Sequence, residues 1–143
     1  MLMILAPTRY DSMGSGDFRS PRGERKHSGR DYAVIPGSQI ISQTQGEVIK
    51  LGYPYPPSDT KKGNYRYIEI LSPNNYTIKY FYVMPHRDII VGKYVDQYAP
   101  IGLAQDISYV YGPDMIPHIH VEVRNPEGQL RDPDDTIGYT SKY

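Results

Sequence analysis

The sequence predicts an all-β fold, a sandwich or barrel of short strands with many turns and little helix. Three observations predict it. The 143 residues include 15 Tyr, 13 Gly and 13 Pro against 2 Phe and no Trp; tyrosine favours strands, while proline and glycine favour turns. Apolar residues alternate with polar ones in short runs, and turn residues separate the runs every eight to twelve positions or so. No stretch sustains a helical period.

The length suits one domain with a real core and is too short for two. Residues 1–143 are therefore read as a single domain, with 1–13 as an N-terminal extension or edge strand and 135–143 as a C-terminal tail. Sixteen basic residues balance 16 acidic ones, which argues against charge-driven binding to nucleic acid or a membrane surface. The chain has no cysteine, so disulfides and thiolate metal sites are excluded and the redox compartment stays open. The apolar run Met1-Leu2-Met3-Ile4-Leu5-Ala6 lacks a basic leader. It is too short for a signal peptide or a membrane span and reads as a short edge strand.

Residues 11–30 hold Gly14, Gly16, Pro21, Gly23 and Gly29 with Arg19, Arg22, Arg25, Lys26 and Arg30, an irregular basic loop. Tyr32-Ala33-Val34-Ile35 then enters a strand. Gln39–Gln43 and Glu47–Leu51 follow as strands, and a Pro-, Asp- and Lys-rich loop spans Tyr53 to Asn64. Tyr65–Leu71 and Thr77–Val83 flank the turn Pro73-Asn74-Asn75. Ile89–Gly92 and Pro100–Ala104 are further strand-like runs, with a turn through Lys93-Tyr94-Val95. A Tyr-rich loop from Asp106 leads to Pro117-His118-Ile119-His120-Val121-Glu122-Val123. Period two sends Ile119, Val121 and Val123 to a core and His118, His120 and Glu122 to the other face.

Two imidazoles side by side on a strand can be half of a metal site. An isolated pair is more often two partly solvated histidines on an open sheet face. Upstream, His27-Ser28-Gly29-Arg30-Asp31 presents an imidazole and a carboxylate from a turn entering a strand. Both can reach one cation, and a surface Asp–His hydrogen bond explains the pair equally well when it is taken alone.

The combination is more specific than its parts. His27-x-x-x-Asp31 and His118-x-His120 occur with Arg22-Gly23, Pro36-Gly37-Ser38, Gln45-Gly46-Glu47-Val48, Val91-Gly92-Lys93-Tyr94-Val95 and Pro100-Ile101-Gly102. Together these resemble the lysostaphin/LytM-type zinc metalloendopeptidases, which cut peptidoglycan peptides, over about residues 14 to 134. The resemblance implies a compact antiparallel sheet, in sandwich or half-barrel form with long loops and a metal groove, and Zn2+ held there by His27, Asp31 and His120, with His118 as a catalytic histidine that is not a ligand. Three protein ligands leave a fourth tetrahedral position for water. A nearby imidazole can take that water's proton or donate to the developing oxyanion. Arg25, Tyr80 and Tyr111 are expected in the substrate groove. Glu122 is expected to accept a hydrogen bond from a ligand or to pair with a basic-loop arginine, without reaching the metal.

One departure stands out. The active peptidases carry a second catalytic histidine in a Tyr-x-His element, and here the stretch is Tyr80-Phe81-Tyr82. Tyr82 replaces that histidine, and its phenol is expected to point into the groove on the same face as Tyr80. His86 is a possible substitute from the following loop. The same stretch is similar to the leukocyte cell-derived chemotaxin relatives, which keep the zinc site and act as binding proteins. The expected function is a zinc-binding, peptidase-like domain that acts on or contacts peptidoglycan peptides. Peptidoglycan lies outside the cytoplasm and the chain shows no export signal, so a phage tail or baseplate setting is expected. There the domain is virion-associated or released at the cell wall, with other virion proteins as partners and no nucleic acid or membrane insertion. The alternative is a catalytically inactive, zinc-stabilised structural or binding module of such an assembly.

Overall fold

A computed structural model describes residues 8–11, 14–22 and 25–134. Two small antiparallel pairs come first: β1 (Tyr10–Asp11) with β2 (Gly14–Ser15), and β3 (Pro21–Arg22) with β4 (Arg25–Lys26). The main strands follow as β5 (Arg30–Ala33), β6 (Gln39–Ile41), β7 (Gly46–Gly52), β8 (Tyr67–Leu71), β9 (Thr77–Phe81) and β10 (Val83–Pro85). After them come β11 (Tyr94–Val95), β12 (Pro100–Ala104), α1 (Ser108–Tyr111, one helical turn), β13 (His118–Arg124) and β14 (Leu130–Arg131). A seven-stranded antiparallel sheet runs β11-β7-β8-β9-β13-β14, and β5 pairs with the first half of β13. A smaller sheet runs β10-β12-β6. Both sheets are open, and the all-β expectation holds.

The core is made by the alternation that the sequence shows. Ile68, Ile70, Ile78, Ile119, Val121 and Val123 are fully buried from the large sheet, and they share one apolar cluster with Ile40, Val83, Ile101 and Ala104 of the small one. Burying each such aliphatic side chain contributes roughly 1.5–3 kcal/mol. With that face of β13 committed to the core, His118, His120 and Glu122 are left on the other face, as period two requires.

Several elements differ from the expectation. Ile89–Gly92 forms a turn with only Ile89 buried, and Tyr94–Val95 is an edge strand on β7. The long run Thr77–Val83 breaks at Tyr82, whose φ is +68°. A left-handed residue cannot continue the pleat, so β9 ends at Phe81 and the chain crosses into the small sheet as β10. The apolar run Met1–Ala6 and the tail 135–143 lie outside the described residues.

Gly29 is where the loop carrying His27 closes onto β13. A Cβ there would lie 2.1 Å from the carbonyl oxygen of Val121, a backbone atom that cannot move aside cheaply. Gly29→Ala is expected to destabilise the protein by about 1–3 kcal/mol, as overpacking does. Equilibrium urea unfolding measures it, and an unchanged midpoint would contradict the close approach.

Candidate metal centre

The register of two strands builds the site. β5 and β13 pair so that His120 stands opposite Asp31, and β9 places Phe81 on the other side of His120. His27 comes from the turn before β5, where its backbone N–H donates to Ser20 O at 2.8 Å. Asp31 Oδ1 lies 2.8 Å from His120 Nδ1 and 3.1 Å from His27 Nε2, and those two nitrogens are 3.0 Å apart. A point about 2.1 Å from all three atoms exists above that triangle, the length of a zinc bond to nitrogen or a carboxylate oxygen. His27, Asp31 and His120 are the group that could hold a metal ion among the described residues.

The ring atoms turned away from the triangle are held. His27 Nδ1 is 2.8 Å from the carbonyl oxygen of Asp17, so it is the N–H and Nε2 faces the site. His120 Nε2 donates to Glu122 Oε2 at 3.0 Å, and that same oxygen accepts from Ser28 Oγ at 2.8 Å. Glu122 therefore contacts a ligand's far nitrogen rather than the triangle, the usual way a carboxylate orients a metal-binding imidazole. His118 Nδ1 donates to the carbonyl of Ile116 at 2.9 Å, leaving Nε2 bare, 3.7 Å from Asp31 Oδ2.

The charges are set by the same contacts. Burial works against an ionised Asp31, but hydrogen bonds from His120 and His27 outweigh it and hold the carboxyl far below the usual range. Burial likewise opposes a charged His120, yet the Asp31 and Glu122 carboxylates push it up to about 9. Burial also opposes the charge on Glu122, but its hydrogen bonds from His120 and Ser28 bring it down to about 2. His118 is pushed down, chiefly by burial, so at neutral pH it is an uncharged imidazole with a free lone pair.

Two consequences are measurable. A metal must displace the Nδ1 proton of His120, so zinc uptake at pH 7 should release about one proton per ion, falling towards none well above pH 9. Calorimetric titrations in buffers of different ionisation enthalpy read this number, and no release at pH 7 would contradict it. For the metal-free protein, the His120 contribution is full below its unfolded value of 6.5 and is lost as pH rises through about 9. The Glu122 contribution is full above 4.5 and is lost as pH falls towards about 2. Metal-free stability should therefore be greatest between these limits, at mildly acidic pH.

The triangle forms part of the floor of a groove of about 570 Å³ whose lining includes Tyr55, Phe81, Tyr82, Tyr111, Met115 and His118. Tyr82 stands edge-on to His118, ring centroids 6.0 Å apart, and its hydroxyl is 3.3 Å from that of Tyr55, which in turn is 3.0 Å from that of Tyr111. Burial raises the Tyr82 phenol far above its ordinary value, so it stays neutral and can only donate or accept a hydrogen bond.

The sequence expectations fare differently. Tyr111 and Tyr82 line the groove. Tyr80 does not: it is fully buried on the core face of β9, and its hydroxyl accepts the backbone N–H of Gln43. Alternation sends Phe81 to the site side instead, and Tyr82 reaches the groove only because its left-handed backbone re-aims the chain. His86 lies just past β10, at the end of the small sheet, is bonded to Gln39 and is not part of the groove wall. Arg25 lies on β4, whose side chains are outside the described residues. Arg9, Ser28 and Tyr55 were missed, because nothing local in the sequence ties them to residues so far along the chain.

A family model described as Peptidase family M23 matches residues 25–133. No match was found among curated protein sequences. Several solved structures share the fold. The catalytic domain of lysostaphin from Staphylococcus simulans is 19% identical with TM-score 0.64, covering 87% of this chain and 90% of that one. The catalytic domain of a prophage-encoded M23 protein, EnpA from Enterococcus faecalis, is 23% identical with TM-score 0.61, covering 91% and 95%. A zinc-containing peptidase from Vibrio cholerae is 21% identical with TM-score 0.64, covering 92% of this chain and 39% of that one. The chain spans 51% of the chain in a solution structure of lysostaphin.

Proposed function

The chain belongs to peptidase family M23, and from that premise we propose that it is a zinc-binding, peptidase-type domain that engages peptidoglycan peptides and hydrolyses them slowly. The observation that carries this reading is the His27–Asp31–His120 triangle at the floor of an open groove. Its donor set, two imidazoles and one carboxylate, suits zinc with a further position left for water or substrate. Bound zinc would polarise the scissile carbonyl and acidify a water molecule.

The chain's own residues divide the remaining work. His118, neutral and with its Nε2 bare, is the proton acceptor. Tyr82 stands where a donor towards a developing oxyanion is needed, and its buried, neutral phenol, too weakly acidic to exchange protons at neutral pH, fills that role poorly. The tyrosine wall supplies apolar ring faces with wet edges for an extended peptide. Incubating the zinc-loaded protein with purified cell walls, and following the release of soluble peptides, tests this reading. Slow, zinc-dependent release is expected; release that persists unchanged in His118→Ala would contradict it.

The second reading is a zinc-stabilised module that binds wall peptides without turnover, and Tyr82 at the groove wall favours it. For either reading we propose a virion setting such as a phage tail or baseplate. A prophage-encoded M23 protein shares the fold at 23% identity, and the setting itself rests on the location of peptidoglycan outside the cytoplasm. Wall binding by the zinc-loaded protein with no peptide release would select the second reading.

A further inference from the structure

Arg9 reaches the site from the N-terminal segment, far from any motif. It is buried, 2% exposed, and lies against the groove. Its backbone N–H donates to the carbonyl of Asp31 at 2.8 Å. Its Nε and Nη2 both donate to Asp31 Oδ2, at 3.2 and 3.0 Å. Its Nη1 donates to Asp11 Oδ1 at 2.8 Å, and Asp11 Oδ2 accepts the backbone N–H of Ile116, also at 2.8 Å. Ile116 is the residue whose carbonyl fixes His118. One guanidinium thus grips the carboxylate of the metal-binding cluster and, through Asp11, the chain just before the histidine strand.

The two oxygens of Asp31 are divided by this grip. Oδ1 faces both imidazoles, while Oδ2 accepts two charge-assisted bonds from a planar fork, a strong and directional arrangement. We propose that Arg9 is a positioning residue of the metal centre: by holding Oδ2 it makes Asp31 a single-oxygen ligand and keeps the remaining coordination positions free. Without the fork, Oδ2 can turn onto the ion and fill one of them. This rests on the metal-centre reading above, and the lysine that preserves charge is not equivalent, since its single ammonium cannot reproduce two bonds converging on one oxygen from a rigid planar fork.

Cobalt(II) is the probe, because its visible absorption is strong in four-coordinate sites and weaker when a fifth ligand binds. Wild type, Arg9→Met and Arg9→Lys are titrated with cobalt, and the band is normalised to bound metal. Wild type should show the strong four-coordinate band, and it should fall by roughly half or more in Arg9→Met as the geometry changes. Arg9→Lys keeps a positive charge between Asp11 and Asp31, so it serves if the methionine variant does not fold; its band should fall in the same direction by less. A merely structural role would lower the melting temperature of the metal-free variants and leave the band per cobalt unchanged, which would overturn the proposal. A weak, five-coordinate band already present in wild type would overturn the role of Arg9 alone. No cobalt uptake by wild type would overturn the metal-centre reading beneath it.

Discussion

Asp31→Ala is expected to abolish stable zinc binding and to destabilise the metal-free protein by about 3–5 kcal/mol. Asp31 is 3% exposed and Arg9 is 2% exposed, and the carboxylate serves both Arg9 and the charged form of His120. Removing it takes one carboxylate from each of two largely buried cations, which keep the contacts of Arg9 with Asp11 and of His120 with Glu122. Deleting one member of a buried charge network costs far more than the net value of the pair, because the partners remain desolvated. Asp31→Asn keeps the shape and one acceptor oxygen, so its loss of stability should be smaller while zinc binding is still weakened. Urea unfolding in the presence of a chelator separates the two effects. Equal stability of Asp31→Ala and wild type would mean that Arg9 and His120 find other partners.

Tyr82→His is expected to raise wall-peptide hydrolysis by about 10²–10³-fold, the usual value of one well-placed group at a developing oxyanion. Hydrolysis needs a base for the water and a donor for the oxyanion, and His118 serves one of these at a time. A second imidazole beside it, at the position where Tyr82 now stands edge-on, supplies the other with an ordinary value near neutrality. The backbone permits the change, since histidine is among the residues that tolerate the positive φ found here. Tyr82→Phe loses only a 3.3 Å hydroxyl contact to Tyr55 and should leave folding nearly unchanged. His86→Ala should leave hydrolysis unchanged, because His86 bonds Gln39 away from the groove. Robust wild-type turnover that survives Tyr82→Phe and vanishes in His86→Ala would overturn this assignment.

The strand that matters most was legible in the sequence because its pattern is simple. Alternation in His118–Val123 divides core from site without any knowledge of the partner strands, and the structure buries Ile119, Val121 and Val123 completely. The spacing of His27 and Asp31 was equally readable, since a glycine turn entering a strand presents both. Tyr80 was misplaced because the run around it looks continuous. Strict alternation would put Tyr80 and Tyr82 on one face, but the left-handed backbone of Tyr82 breaks the pleat, and no local residue preference announces such a break at a tyrosine. Arg9 and Tyr55 were invisible for a different reason. Their contacts span 22 and 27 residues, and a basic residue in an irregular segment carries no sign of the carboxylate it will meet. Glu122 was placed correctly as a neighbour because it shares a strand face with His120.

The central claim is that His27, Asp31 and His120 together hold one metal ion. The most direct test is zinc stoichiometry, measured by elemental analysis after equilibration with zinc and removal of the loosely bound ion, on wild type and on folded His120→Ala. One zinc per chain in wild type and none in His120→Ala is the predicted result. Wild type without zinc, or His120→Ala retaining a full equivalent, would contradict it.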